Sequence, residues 1–239
     1  MTQAVTEFGP SQGWHPGWEE NVYGKGRHLN RYPYHAVVGF VLSNFGQRPD
    51  RFQVRILELG CGAGNNLWFA AREGFSVAGI EGSASAVEYA RQRFSIEHLQ
   101  GDIRVGDFSN LPWSDESFDV VLDRCALACT TRHTIESALN ESRRVLKPNG
   151  KLLSVIYSYD HPGRIFGYSL GDNTYDNFRG GYFFGLGTTH FCTREEIDEL
   201  FGSRFSISSL VHTIEENHLG SPRAVNAFWR VECVKTPWA

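Results

Sequence analysis

Three glycines between an apolar run and a helix-like segment are the strongest chemical signal in the sequence. Gly60, Gly62 and Gly64 lie in GCGAGNN, directly after the run VRILEL. A glycine turn followed by a helix N-terminus presents backbone N–H groups to a polar or anionic ligand. Dinucleotide sites use Gly-x-Gly-x-x-Gly, whereas here the third glycine comes one residue early. The loop predicts a ligand site that is not a dinucleotide site, with a plain tight turn as the alternative.

Acidic residues end the next three predicted strands. Glu81 lies 17 residues beyond Gly64, where its carboxylate can accept both hydroxyls of a ribose. Asp107 can accept from an exocyclic adenine amine, and Phe108 can lie against the ring. Asp123 could face a positively charged amino group. Since the carboxyl ends of parallel strands share one sheet edge, we expect these side chains to surround one ligand, although each could only cap a helix.

Strands and helices alternate along the chain, which predicts an α/β fold with a doubly wound, mostly parallel sheet. The expected strands are Val54–Leu59, 75–81, 103–107, 118–123 and 151–158, followed by two closing and antiparallel strands, FSISSLVHTIEE and NAFWRVECVK. The expected helices are Tyr34–Phe45, Asn66–Glu73, one opened by a Ser85/Glu88 capping box, Thr134–Leu146, and one opened by a Thr193/Glu196 capping box.

A segment rich in glycine and aromatic residues, about 158–191, interrupts this alternation. A stretch of this length without periodicity is typical of a lid or binding loop, so we expect an inserted lid after the fifth strand. The first thirty residues should form an arm. The predicted substrate-binding residues of the arm and lid are Tyr23, Tyr32, Tyr34, Arg164, Tyr182 and Phe183. The alternative for the aromatic residues is a small secondary core.

Four segments, taken in order, resemble the class I S-adenosylmethionine-dependent methyltransferases of the small-molecule type. They are ILELGCGAGNN, VAGIEGSASAVEYA, GDFSNLPWSDESFDVVLD and ESRRVLKPNGKLL, within roughly residues 50–156. The resemblance implies a Rossmann-like, seven-stranded sheet with helices on both faces. It also implies S-adenosylmethionine as the cofactor and S-adenosylhomocysteine as the product.

The resemblance assigns a role to each motif. The Gly60–Gly64 loop would pass under the methionyl and ribose portion, with Glu58 supporting the amino end. Glu81 would bind the ribose diol, Asp107 and Phe108 the adenine, and the region of Asp123 and Arg124 the methionyl amine. The further cofactor-binding candidates in these loops are Cys61, Asn66, Gly82 and Ser83. The sequence reads DRCA after the fourth strand, where adenine-DNA and glutamine methyltransferases have an Asn/Asp-Pro-Pro-aromatic tetrapeptide, which argues against those branches.

Transfer of a methyl group from a sulfonium ion is an in-line displacement that depends mainly on holding the acceptor in line. A hydroxyl acceptor also needs a general base, whereas a carboxylate acceptor does not. His190 is the first candidate for the base because it closes the lid before a predicted helix, and His161 and His133 follow. A packed or helix-capping histidine is the alternative for each of them.

Composition excludes several classes of protein. The 239 residues contain 23 Lys and Arg against 27 Asp and Glu, a net charge of −4, without the basic run of a dedicated nucleic-acid binder. No apolar stretch approaches a membrane span and the start has no signal pattern, which predicts a cytoplasmic protein with no membrane partner. The 5 cysteines are scattered and predict no metal site.

We therefore expect an arm and helix over residues 1–48 that cover the active site, and a methyltransferase domain over 49–239, as a monomer or homodimer. The predicted activity is methyl transfer to a small molecule, at a hydroxyl oxygen of a sugar or another polar metabolite. N- or carboxyl-methylation of a small acid or amine and a non-catalytic cofactor-binding protein are the alternatives. A nicotinamide oxidoreductase fits the glycine spacing less well.

Overall fold

A mostly parallel seven-stranded sheet forms the centre of the computed structural model, which describes residues 14–219 and 224–236. The sheet has the order β3-β2-β1-β4-β5-β10-β9, in which β10 is antiparallel to both of its neighbours, β5 and β9, and all the other neighbouring strands are parallel. The strands are β1 Arg55–Leu59, β2 Ser76–Glu81, β3 Asp102–Val105, β4 Phe118–Arg124, β5 Leu146–Tyr157, β6 Tyr168–Gly171, β7 Thr174–Asp176, β8 Thr189–His190, β9 Ser206–Glu216 and β10 Ala224–Val234. This confirms the predicted fold class.

The helices between the parallel strands lie on both faces of this sheet. The helices are α1 His35–Phe45, α2 Asn65–Arg72, α3 Ala84–Ile96, α4 Arg132–Val145 and α5 Arg194–Ile197. The crossovers through α2 and α3 step from β1 towards β3, whereas the crossover through α4 steps the other way, from β4 to β5. Right-handed crossovers that run in opposite directions place their helices on opposite faces.

The reversal of strand order between β1 and β4 creates the crevice in which open α/β sheets bind ligands. Leu59, the last residue of β1, is in register with Ile80 of β2 and with Asp123 of β4. The glycine loop, Glu81 and the loop after β4 therefore leave the sheet at the same edge. None of the helices in the described ranges is long and apolar enough to cross a membrane.

The capping residue of α3 differs from the prediction. The Ser83 hydroxyl, not that of Ser85, accepts from the backbone N–H of Ala86 at 3.1 Å, and Ser83 has the extended backbone of a helix cap. Ser85 already lies in the first turn, and its hydroxyl contacts Glu19 of the arm at 2.5 Å. The predicted Thr193/Glu196 capping box at α5 is confirmed.

The insertion after β5 is folded, which corrects the expectation of a segment without regular structure. A short helical turn at Pro162–Phe166 is followed by a three-stranded antiparallel sheet of β6, β7 and β8. Phe183 is fully buried among aromatic rings, with its centroid 4.9 Å from that of Tyr157 and 5.3 Å from that of Phe191. A secondary aromatic core therefore orders this segment.

A buried carboxylate joins the insertion to α4 and α5. Glu196 contacts Arg132 at 2.9 Å and His190 Nε2 at 3.5 Å, and it accepts from Asn173 and from the backbone N–H of Thr193 at 2.9 Å each. Burial alone would raise the pKa of Glu196, but His190, Thr193 and Asn173 together lower it to about 2. The ionised form of this carboxyl therefore stabilises the folded protein.

Glu196→Gln should lower the free energy of unfolding by about 2–4 kcal/mol at pH 7, because Arg132 loses its buried partner. Since the folded-state pKa is lowered, this contribution is complete above the unfolded value near 4.5 and is lost as the pH falls towards 2. Urea unfolding at pH 7 and at pH 3 measures both effects. Glu199→Gln is the matched control, because Glu199 pairs with the same arginine but is exposed. Equal losses in the two variants would contradict the assignment.

Candidate active site

An open cavity, of about 880 Å³ when the adjoining space open to solvent is included, lies at the carboxyl edge of the parallel strands. Twelve of the predicted site residues line it: Glu58, Gly60, Cys61, Gly62, Asn66, Glu81, Gly82, Phe108, Arg124, Tyr23, Tyr34 and Tyr182. The predicted residues that do not line it are Gly64, Ser83, Asp107, Asp123, Tyr32, Arg164, Phe183, His133, His161 and His190.

The floor of the cavity is the glycine loop between β1 and α2. Gly60, Gly62 and Gly64 all have positive φ, between 50° and 73°, a backbone region that side chains disfavour. A Cβ atom on Gly60 would lie 2.3 Å from the Cβ of Ala126, and one on Gly62 would lie 2.5 Å from the Tyr23 hydroxyl. The glycines therefore let the loop pass close under the cavity between the turn after β4 and the arm.

Glu81 closes one side of this loop. Its two carboxylate oxygens accept from the backbone N–H groups of Gly62 and Ser83, each at 2.9 Å. Burial raises the pKa of Glu81, and these backbone hydrogen bonds oppose the rise. A carboxylate has about four acceptor positions. Glu81 is thus held in place while retaining acceptor capacity for the hydroxyl groups of a ligand.

Glu58 is the least satisfied polar group of the cavity. Its Oε1 accepts from Asn66 Nδ2 at 2.6 Å, whereas its Oε2 is buried without a hydrogen-bond partner. Burial raises the pKa of Glu58 to about 8, and Asp123 and Glu81 nearby contribute to the rise. A buried acceptor of this kind at a cavity wall favours a ligand that brings a hydrogen-bond donor, above all a cation.

Two asparagines at the start of α2 fasten the arm to the glycine loop. Asn66 Oδ1 accepts from the backbone N–H of Tyr34 at 3.0 Å, and Asn65 Nδ2 donates to the carbonyl of Tyr32 at 2.9 Å. Glu19 adds a third attachment through hydrogen bonds to Ser83 and Ser85 beside α3. The arm is therefore built into the site as part of its wall.

Aromatic residues of the arm lie directly over the loops. The ring of Trp14 packs on Gly82, where a Cβ atom would approach its Cγ to 2.2 Å. Trp14, Trp18 and Tyr23 all line the cavity, and Phe108 lines it from the loop after β3. These rings give the end of the cavity near Glu81 the flat apolar walls that suit a heteroaromatic base.

The predicted contact of Asp123 with an amino group is corrected by the structure. Asp123 is fully buried, and its Oδ1 accepts from the backbone N–H groups of Ala126 and Leu127 at 2.9 and 3.0 Å. Its Oδ2 accepts from the Ser154 hydroxyl at 2.5 Å. Asp123 thus holds the turn after β4, as an end-of-strand carboxylate can do.

Asp107 and Gly64 do not line the cavity either. Asp107 Oδ1 accepts from the backbone N–H of Ser109 at 2.7 Å and from its hydroxyl at 2.6 Å. Gly64 is the N-terminal cap of α2 and packs towards Ala90. The predicted contact of Asp107 with adenine stays a prediction, whereas Phe108 lines the cavity.

The three histidines predicted as bases lie away from the cavity. His190 is fully buried and held by Thr174 and Glu196, and His161 is buried with its Nε2 2.9 Å from Asn226. His133 is exposed in the first turn of α4. His28 of the arm lines the cavity instead. The loop paths decide this difference, because sequence position alone does not show which way a loop folds.

Three predicted substrate-binding residues also lie elsewhere. Tyr32 is 72% exposed and meets Trp68 edge to face. Arg164 donates to the carbonyl of Tyr159 at 2.7 Å and its guanidinium lies over that ring. Phe183 belongs to the aromatic core of the insertion. These residues serve packing and not the cavity surface.

Several cavity residues were not predicted from the sequence. They lie in the arm, in the glycine loop and start of α2, in the turn after β4 and at the end of β5: Trp14, His28, Asn30, Ala63, Asn65, Cys125, Ala126, Cys129 and Tyr157. The position of Tyr157 at the end of β5 could have indicated it, since strand ends form this edge. Burial raises the pKa of the Cys125 thiol to about 11 and that of the Cys61 thiol well above its usual value, so both stay protonated and are poor nucleophiles.

Comparison with known proteins agrees with this geometry. Residues 56–150 match the family model described as a methyltransferase domain. The chain contains a class I S-adenosylmethionine-dependent methyltransferase domain. This confirms the family that the four motifs indicated, and the match covers the glycine loop, Glu81, Phe108 and Arg124 of the cavity.

Relatives of this methyltransferase domain act on different kinds of acceptor. It is 34% identical over 161 residues to tRNA N(3)-cytidine methyltransferase METTL2 of Gallus gallus, an alignment covering 62% of this chain and 41% of that protein. It is 34% identical over 111 residues to demethylmenaquinone methyltransferase of Tropheryma whipplei, covering 46% and 44%. The chain thus spans less than half the length of these relatives.

A solved structure shows that the similarity of fold extends beyond the motifs. An S-adenosylmethionine-dependent methyltransferase from Methanosarcina mazei superposes with a TM-score of 0.68 at 20% identity, covering 87% of this chain and all of that one. At this identity the match concerns the fold alone. It extends well beyond residues 56–150, which the family model matches.

The cavity residues fit S-adenosylmethionine on grounds independent of these comparisons. The unpartnered Glu58 Oε2 suits the methionyl ammonium, and the carboxylate of Glu81 suits the ribose hydroxyls. Trp14 and Phe108 supply apolar surface for adenine. The cavity therefore contains acidic side chains and aromatic rings of the kinds that S-adenosylmethionine can use.

Glu58→Gln should weaken S-adenosylhomocysteine binding by at least about tenfold, because the ammonium loses a charged acceptor. The same change should stabilise the ligand-free protein at pH 8 relative to the wild type. The folded-state pKa of about 8 is raised above the unfolded value of 4.5, so ionised Glu58 increasingly destabilises the native state as the pH rises between these values.

Thermal unfolding at pH 5 and pH 8, with and without S-adenosylhomocysteine, tests this prediction. The variant should gain stability over the wild type only at the higher pH, and S-adenosylhomocysteine should stabilise it less. Glu88→Gln is the control, since Glu88 lies exposed on α3. Undiminished stabilisation of Glu58→Gln by S-adenosylhomocysteine would rule out a contact with the ammonium.

Proposed function

We propose that this protein transfers a methyl group from S-adenosylmethionine to a small-molecule acceptor, at a hydroxyl oxygen. The observation that carries the donor part is the cavity itself: a left-handed glycine loop, Glu81 held by two backbone N–H groups, and a buried Glu58 oxygen with no partner. Bound S-adenosylmethionine would supply the methyl group on its sulfonium sulfur. Glu58, Glu81 and Phe108 would orient it from the β1–β3 side of the cavity.

A small acceptor is favoured over a nucleic acid by the cover of the cavity. The arm and the insertion meet above it: Asn21 donates to the carbonyl of Gly185 at 3.2 Å, and His28 meets Tyr182 edge to face at 6.4 Å. The chain also carries a net charge of −4, which disfavours a phosphate backbone. Relatives include a tRNA and a quinone methyltransferase, and these features support the second kind of acceptor.

His28 is our candidate for the general base. It lies at the cavity wall between Trp18 and Tyr182, with ring centroids 6.2 and 6.4 Å away. Its backbone has a positive φ of 54°, an uncommon conformation that occurs at functional sites. From this position His28 could accept the proton of an acceptor hydroxyl as the oxygen attacks the methyl group.

We propose that residues 1–48, of which the structure describes 14–48, form an arm and helix that cover the active site, with residues 49–239 as the catalytic domain. The hydrogen bonds of Asn65 and Asn66 to the arm support this assignment, because they hold the arm against the catalytic domain. A cover of this kind excludes water and holds the acceptor in line with the methyl group.

Calorimetric titration tests the donor part of the proposal. The protein should bind S-adenosylmethionine and S-adenosylhomocysteine with micromolar affinity and should not bind NAD. A methyl-transfer screen over sugars, nucleotide sugars, phenols, small acids and unmodified tRNA then tests the acceptor part. Absence of S-adenosylhomocysteine binding would refute the donor assignment, and methylation confined to tRNA would refute the acceptor assignment.

His28→Gln should lower kcat for a hydroxyl acceptor by about a hundredfold or more, with S-adenosylhomocysteine affinity changed by less than about twofold. The pH profile of kcat for the variant should also lose the part in which kcat rises as a general base becomes deprotonated. His218→Gln is the matched control, because His218 lies exposed in the turn after β9. A kcat for the hydroxyl acceptor near that of the wild type would exclude His28 as the base.

A further inference from the structure

We propose that Arg124 recognises a carboxylate on the acceptor, so that the substrates are aromatic or other small hydroxy acids. This inference rests on the proposed methyl transfer and names the acceptor class of the same cavity. It reassigns Arg124, which the family resemblance placed with the methionyl end of the cofactor.

The guanidinium of Arg124 is held in one place by aromatic rings. It lies over the ring of Tyr34 at 4.4 Å and over that of Phe228 at 5.2 Å, so it sits between the arm and β10. Its Nη1 also contacts the sulfur of Cys125. A stacked guanidinium is pre-organised and presents its planar edge to a ligand, which a flexible lysine would not do.

Arg124 lines the cavity without an acidic partner. Among residues 14–219 and 224–236, no carboxylate oxygen lies within salt-bridge distance of its guanidinium. Asp123 is next to Arg124 in sequence, but both of its carboxylate oxygens accept hydrogen bonds from Ala126, Leu127 and Ser154. A partly buried cation without a counterion is unfavourable, and an anionic ligand group would relieve that cost.

The position of Arg124 in the sheet directs it to the acceptor half of the cavity. The groups assigned to the donor follow β1, β2 and β3, as Glu58, Glu81 and Phe108 do. One of the two rings over the Arg124 guanidinium, Phe228 of β10, comes from the other half of the sheet, and Tyr157 at the end of β5 lines the cavity from that half. Because the strand order reverses between β1 and β4, the two halves lie on opposite sides of the switch point.

The surrounding side chains indicate the rest of the ligand. Tyr157 and Tyr182 meet edge to face with centroids 6.5 Å apart, and both line the cavity beside Tyr34. These rings suit an aromatic or other flat body, while the guanidinium fork suits a planar carboxylate in two parallel hydrogen bonds. A hydroxyl at the far end of such a body could reach the methyl group while the carboxylate stays on Arg124.

The test compares benzoate with benzamide, which have the same shape but differ in charge. Each is titrated into the free protein and into its complex with S-adenosylhomocysteine, for the wild type, Arg124→Met and Arg124→Lys. The wild type should bind benzoate at least about tenfold more tightly than benzamide. Arg124→Met should abolish that preference, Arg124→Lys should restore it in part, and S-adenosylhomocysteine affinity should change by less than about twofold.

Arg72→Met is the control, because Arg72 also lies over an aromatic ring, that of Trp68 at 5.3 Å, but is exposed on α2. It should leave the preference for benzoate unchanged. Equal binding of benzoate and benzamide, or no binding of either to the wild type, would overturn the proposal. A loss of S-adenosylhomocysteine affinity in Arg124→Met with benzoate binding intact would also overturn it, because this result would show that Arg124 binds the cofactor.

The same experiment separates this inference from the proposed function. If the wild type fails to bind S-adenosylhomocysteine, methyl transfer is refuted, while the titration of the free protein still decides whether Arg124 binds a carboxylate. A methyl-transfer assay with 4-hydroxybenzoate and 4-hydroxybenzamide adds a kinetic readout. A higher KM for the acid in Arg124→Met, with kcat at saturation nearly kept, would identify Arg124 as a residue for recognition.

Discussion

The two hydrogen bonds of the Asn66 side chain join the end of β1 to the arm and, through Tyr34, to the end of β4. Asn66 donates to Glu58 at the end of β1 and accepts from the backbone N–H of Tyr34, where the arm enters α1. The Tyr34 ring in turn lies against the guanidinium of Arg124 after β4. One buried amide thus sets the distance between the carboxylate proposed for the donor ammonium and the cation proposed for the acceptor. A change at Asn66 would disturb donor and acceptor sites together, because the remaining contacts of Tyr34 do not reach Glu58.

The fold could be predicted well because its signals are local. Apolar runs of strand length, glycine at the turn after β1 and acidic residues at strand ends are each determined within a few residues, and parallel pairing then brings them to one edge. The side-chain direction at a strand end is less predictable. Asp123 turns inwards to hold the turn after β4, whereas its neighbour Arg124 lines the cavity. A shift of one residue reverses the face of a strand on which a side chain lies.

The residues that cover the cavity could be predicted only in part, as Tyr23, Tyr34 and Tyr182 were, because the path of a long segment depends on packing far along the chain. His190 is close in sequence to the expected lid, yet pairing of β8 with β7 buries it beside Glu196. His28 lies in a segment with no periodicity. It reaches the cavity because Asn65 and Asn66 hold the arm to the start of α2 a few residues further along the chain. The aromatic residues divide in the same way: Phe183 packs into a core, and Tyr182, its neighbour, lines the cavity at 56% exposure.

The distribution of charge in the cavity explains why donor and acceptor could bind without exchanging places. Two buried carboxylates, Glu58 and Glu81, lie on the β1–β2 side, and one guanidinium lies on the side of β4 and β10. Burial raises the pKa of Glu58 to about 8, so an ammonium bound at its unpartnered oxygen would favour the ionised form of this carboxyl. A carboxylate on the acceptor would instead favour the side of the cavity where the guanidinium of Arg124 lies.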